Sequence, residues 1–263
     1  MPSRLRQVLV LLSAILAVVV STIGSGAFGG TPIAEASGGA LSDDATLLAP
    51  AGPAFAIWSL IYGALVVLAV VQALPRHRDD ERLDRTAGWT ILALLLNPAW
   101  ILVVQAGVLW LTVVVIAALA AVLIRLALLL SAEQPRGAQK WWHDLPLALY
   151  AGWVIVATAA NAAAFVDAEI VTVTVPYALV LLVVVTFLST LVAMVQPGGA
   201  GVAAATAWGA AWIAYGRLAG DPESTVVGVA AVVAAGWLIG VAGLRLVRGH
   251  IVVADASPAP ASR

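Results

Sequence analysis

Apolar residues run through this chain in blocks of about twenty with hardly a charge inside them, as in "VLVLLSAILAVVVSTIG", "LWLTVVVIAALAAVLI" and "VPYALVLLVVVTFLSTLVAMV". At about 1.5 Å of rise per residue, such a block in helical form crosses a hydrocarbon core of roughly 30 Å. A soluble domain of this length would carry about a quarter charged residues; here 10% are charged and 62% are hydrophobic. The fold class this dictates is all-α, a polytopic helical bundle in a lipid bilayer. The net charge of -1 gives no basic surface for nucleic acid, and the absence of cysteine excludes disulfides, thiolate chemistry and Cys-ligated metal.

The blocks predict eight spans, at 5–27, 53–75, 86–105, 107–131, 145–166, 171–195, 201–219 and 224–247. With the N-terminus inside, 12 of the 13 basic residues fall in cytoplasmic segments and only Arg217 falls outside. That partition requires the span count to be right, so the positive-inside bias checks the hydropathy reading. The acidic residues divide seven and seven, as expected of groups with little orienting power. The expected location is therefore the cell membrane, multi-pass, with both termini cytoplasmic. A rival reading of the first span is a signal peptide, "SRLRQ" plus an apolar run and "AEAS", cleaved near Ala36. The chain divides as a five-span unit (1–167), three further spans (168–249) and a disordered cytoplasmic tail (250–263). Residues 28–52 make the longest outer connection, and the charged run "RHRDDERLDR" at 76–85 reads as a solvated turn that fixes topology. A weak internal echo, residues 12–28 on 149–165 and "NPAWILVVQAG" on "GAAWIAYGRLAG", admits a parallel four-plus-four repeat of the transporter kind.

Polar groups inside spans are candidates for function, because an unsatisfied one in lipid is costly. Here they are Gln72, Asn97, Gln105, Asn161 and scattered hydroxyls; Asp, Glu and His keep to loops and helix ends. Acid–base pairs, metal triads and facing haem histidines are thus not expected, no cofactor is expected, and binding is favoured over catalysis. Of the ten tryptophans, Trp141 and Trp142 beside Lys140 fit an interfacial belt, while Trp58, Trp100 and Trp153 sit deeper. Phe55, Trp58 and Tyr62 share one face of the second span, and Asn97 and Trp100 share a face of the third. Tyr150, Trp153, Ala157 and Asn161 run down one face of the fifth. By depth these nine residues converge in the outer half of the bundle under the 28–52 loop. Two readings stand there: an aromatic pocket with a few amides and a mobile cover, or plain helix–helix packing glued by asparagine.

Y-x-x-W-x-x-x-A-T-x-x-N at Tyr150–Asn161, N-x-x-W at Asn97 and Trp100, and W-x-x-x-Y-G at Trp58, Tyr62 and Gly63 resemble motifs of the tryptophan-rich sensory protein family, also called the TspO or translocator protein family. "PAGPAFAIWSLIYG" is similar to a longer bacterial branch with extra C-terminal helices. The resemblance covers about residues 5–166. It implies a five-helix bundle holding a porphyrin, a sterol-like lipid or another planar apolar ligand under the first loop, with the nine residues above as ligand-binding positions. Asn97 would be a pocket or helix-contact amide and Pro98 a distortion beside the cavity. The chain departs from the family at Ala56 and Ile57, where a proline precedes the first-motif tryptophan. It departs again at Leu149, before Tyr150, with the proline back at Pro146. The last three spans lie outside the resemblance, as a packing surface like that of a homodimer or as half of a repeat. The alternatives to a receptor or carrier are a facilitative transporter of two four-helix halves and an enzyme acting on a porphyrin or lipid.

Overall fold

The computed structural model describes residues 3–26 and 31–255, with side chains of the last helix to Val247. Its described residues form eight α-helices and no strand: α1 Ser3–Gly24, α2 Ile57–Ala73, α3 Glu81–Gln105, α4 Leu109–Ser131, α5 Leu145–Glu169, α6 Val175–Val195, α7 Gly199–Ala219 and α8 Thr225–Asp255. One helix overlaps each expected span. The helical backbone of α8 reaches Asp255, so the first six residues of the expected tail are helical and residues 256–263 lie outside the described ones.

Seven helices are long and apolar enough to cross a membrane; α7 falls short of their hydropathy. The reason lies in its position. It packs against α5, α6 and α8, and an interior helix has no need of lipid-facing Leu and Val. Instead it carries Gly201, Ala205 and Gly209 at four-residue spacing, which lets backbones approach closely. A Cβ on Gly152 of α5 would lie 2.3 Å from the Val202 carbonyl oxygen and 3.0 Å from the Ala205 Cβ. Thr206 completes the seam by donating to the Gly152 carbonyl at 3.1 Å. α5 is the pivot of the bundle, packed against α2, α4, α6 and α7. One hydrophobic core runs through all eight helices, from Val10 in α1 to Val227 in α8. The main pairings also repeat after four helices: α1 with α2 and α3, and α3 with α4; then α5 with α6 and α7, and α7 with α8.

The arginine-rich end differs from the solvated turn expected of residues 76–85. Asp80 caps α3 by accepting from the backbone N–H groups of Arg82 and Leu83, which starts the helix five residues earlier than hydropathy predicts. Arg6 is 0% exposed and pairs with Asp84 at 2.7 Å. It also donates to the backbone carbonyls of His77, Arg78 and Asp80. Arg82 turns inward to Asp144, which sits in a turn of π-helix (Lys140–Asp144) ahead of α5. Trp141 stays exposed beside Lys140, as a belt tryptophan should.

Candidate functional site

At the opposite end, α5 changes character. From Tyr150 to Val156 every residue is buried, but 157–164 reads "ATAANAAA". Those small side chains cannot fill the space between α5, α4 and the first loop. Ala157, Ala160 and Ala164, at helical spacing, therefore floor a cavity of about 50 Å³ walled by Trp58, Trp100, Trp153, Phe55, Ile116 and Asn161. A larger cavity of about 530 Å³ adjoins it between α1, α2 and α3. The two share Phe55, Trp58, Trp100, Ile33 and Leu41 as common wall. Ser21, Thr22, Ser25, Ser59, Tyr62 and Asp43 give the larger cavity its polar side.

Trp58 is the hub of the aromatic wall. It stacks on Tyr62 with ring centroids 5.2 Å apart and meets Tyr150 and Trp153 edge-on at 6.0 and 6.2 Å. Phe55 meets Trp153 edge-on at 5.7 Å. The Trp100 indole N–H donates to the Asn161 side-chain oxygen at 3.1 Å, and Asn161 in turn donates to the Ala157 carbonyl. Trp100 is thereby fixed to α5 with its ring on the cavity. The Trp153 indole nitrogen is buried with no partner.

Seven of the nine residues picked out by spacing line one cavity or both. Asn97 and Tyr150 line neither. The Asn97 amide donates to the Tyr62 hydroxyl at 2.6 Å and to Ser21 at 3.1 Å, so it is spent on joining α3 to α1 and α2. The Tyr150 hydroxyl donates to the Ala93 carbonyl, one residue before the Leu94 carbonyl that Pro98, lacking an N–H, leaves without its helical donor. Both stand behind the wall and set its geometry. Asp43 and the α1 hydroxyls were not picked out, because single Ser and Thr residues in an apolar helix carry no spacing signal. Ile116 was missed because α4 is uniformly aliphatic. Among the described residues no cluster of His, Asp or Glu could hold a metal ion.

The described part of the loop above, residues 31–56, is tied to the bundle on both sides. Ser37 donates to the Val104 carbonyl, and Gln105 donates to the carbonyls of Gly24 and Thr31. α7 holds the far side of the loop. The Trp208 indole donates to the Ala54 carbonyl at 2.8 Å, and the Ala51 N–H donates to the Trp212 carbonyl at 3.3 Å. Arg217, 0% exposed, donates to the carbonyls of Thr46 and Asp43.

A family model described as TSPO-like protein matches residues 7–244. The chain belongs to the TSPO-like family. No curated protein and no solved structure matches it. The family match runs through all eight helices, beyond the five spans whose motifs carried the resemblance, and so includes the α7 residues that fasten the loop. The protein is a multi-pass membrane protein of that family.

Proposed function

We propose that this TSPO-like protein is a membrane receptor or carrier that binds a planar apolar ligand, a tetrapyrrole or a molecule of similar shape, in the joined cavities under the first loop. The observation that carries the reading is the convergence of Trp58, Trp100 and Trp153 from α2, α3 and α5 on one space floored by alanines. A flat ligand there meets ring faces and edges, and each aromatic pair contributes about 0.5–1.5 kcal/mol beyond simple burial. The larger cavity, about 530 Å³, falls in the range of small-molecule sites. Among the described residues lining the cavities no nucleophile–base pair is present, which favours holding the ligand over converting it. The arginine-rich end faces the cytoplasm in this reading, so the ligand enters from the other side or from the bilayer.

The test is quenching of intrinsic tryptophan fluorescence in the detergent-solubilised protein on titration with a porphyrin. Saturable quenching is expected, weakened roughly threefold to tenfold by Trp153→Leu or Trp100→Leu, in line with the loss of one aromatic contact. Circular dichroism on the same samples reports whether the variants remain folded. Unchanged affinity in both folded variants sinks this site.

A further inference from the structure

The larger cavity has a polar side with hydroxyls of Ser21, Thr22, Ser25, Ser59 and Tyr62 and a single charged group, Asp43. Thr22 spends its hydroxyl hydrogen on the Val18 carbonyl at 2.6 Å, and Ser25 spends its own on the Thr22 carbonyl at 3.1 Å. Ser21 and Tyr62 each receive a hydrogen from the Asn97 amide. What Thr22 and Ser25 have left to offer the cavity is oxygen lone pairs. Asp43, the one charged residue lining either cavity among the described residues, is a carboxylate at the exposed mouth, and it accepts from the Gly52 N–H at 2.9 Å. Residues 27–30 of the same loop are Ala, Phe, Gly and Gly, which carry no charge.

The field at this end has the same sign. Its loops and helix ends hold seven carboxylates against a single basic residue, Arg217. The guanidinium of Arg217 is committed to the carbonyls of Thr46, Asp43 and Asp221 and lines neither cavity. The unpartnered Trp153 N–H belongs to the smaller cavity and is neutral. A ligand carboxylate placed beside Asp43 would meet a like charge; a hydroxyl, a pyrrole N–H or an amine there would meet a partner.

Resting on the reading of these cavities as a ligand site, we infer that the site selects by charge: it takes planar apolar ligands that are uncharged or cationic, and it discriminates against carboxylate-bearing ones. Like-charge repulsion at the mouth and the acidic field around it both raise the dissociation constant of an anion, and both are screened by salt.

The experiment compares protoporphyrin IX, a dicarboxylate, with its uncharged dimethyl ester in tryptophan-quenching titrations of the full chain, and repeats both with Asp43→Asn. The asparagine oxygen can still accept from Gly52, so the loop contact is conserved. In the wild type the ester is expected to bind about fivefold or more tightly than the acid at low salt. In Asp43→Asn the gap between ester and acid is expected to narrow about threefold, and circular dichroism on the same samples reports whether the fold is intact. Raising the salt should narrow the wild-type gap. An acid that binds as tightly as the ester, or a gap that Asp43→Asn leaves unchanged, overturns the charge selection and leaves the cavity reading in place. Absence of saturable binding by either compound removes the cavity reading and this inference with it.

Discussion

Arg82 and Asp144 face each other with side chains 7% and 0% exposed, at 2.7 and 3.0 Å through two guanidinium nitrogens. His143 adds a contact to the same carboxylate at 3.0 Å. A buried ion pair adds little net stability, yet removing one member strands the other charge at a cost of about 3–5 kcal/mol. Asp144→Asn is therefore expected to lower the thermal unfolding midpoint in detergent far more than Arg85→Ala, which breaks only the half-exposed Arg85–Glu133 pair, worth about 0–1 kcal/mol. Equal shifts in the two variants would mean that the pair is solvated. In the sequence Asp144 looks like an ordinary charge at a helix entrance, and Arg82 sits in a run of charges. Nothing in a helical period joins two residues 62 positions apart. The deep tryptophans were legible for the opposite reason: each lies on a face shared with an amide or a second aromatic, so spacing alone groups them. Which amide faces the cavity and which is consumed behind the wall, Asn161 or Asn97, depends on packing that spacing does not contain.

Between elements, the decisive contact is the seam of α5 and α7. Gly152 approaches the Val202 carbonyl so closely that even a methyl group would intrude, and Gly201 and Gly209 meet Ala148 and Val156 in the same way. Overpacking of this kind costs about 1–3 kcal/mol when the obstacle is backbone rather than a flexible side chain. Gly152→Ala should lower the unfolding midpoint clearly, whereas Gly236→Ala, whose Cβ would meet nothing within 4 Å, should leave it nearly unchanged. A neutral Gly152→Ala would mean that the two helices are further apart than described. Because α7 carries Trp208, Trp212 and Arg217 to the loop, the same substitution is also expected to weaken porphyrin quenching through the cover. The helices themselves were readable as apolar blocks. Their partners were not: small residues recur throughout this alanine-rich chain, and four-residue spacing of glycine does not name the helix it will meet.

At the scale of the molecule, the bundle is polarised. One end carries Arg6, Arg82 and the arginine-rich turns; the other carries the fastened loop, both cavities and carboxylates that outnumber its basic residues. Short loops rich in Arg and Lys are retained on the cytoplasmic side during insertion, each adding to the bias. Among the described residues the basic ones gather at one end with the exception of Arg217, so the two orientations differ by nearly the whole set. Arg217, the exception, is buried against loop carbonyls and so adds little exposed positive charge at its end. Since the chain has no cysteine, single reporters can be placed without background. Glu35→Cys lies in the exposed part of the first loop, and Gln134→Cys lies in the exposed α4–α5 turn at the arginine-rich end. A membrane-impermeant maleimide is expected to label Glu35→Cys in intact cells and Gln134→Cys only after permeabilisation. The reverse pattern would invert the protein and turn the cavities toward the cytoplasm. Labelling of both sites in intact cells would mean that the charge bias does not set a single orientation, and the side from which a ligand arrives would then be decided by the cavity mouth alone.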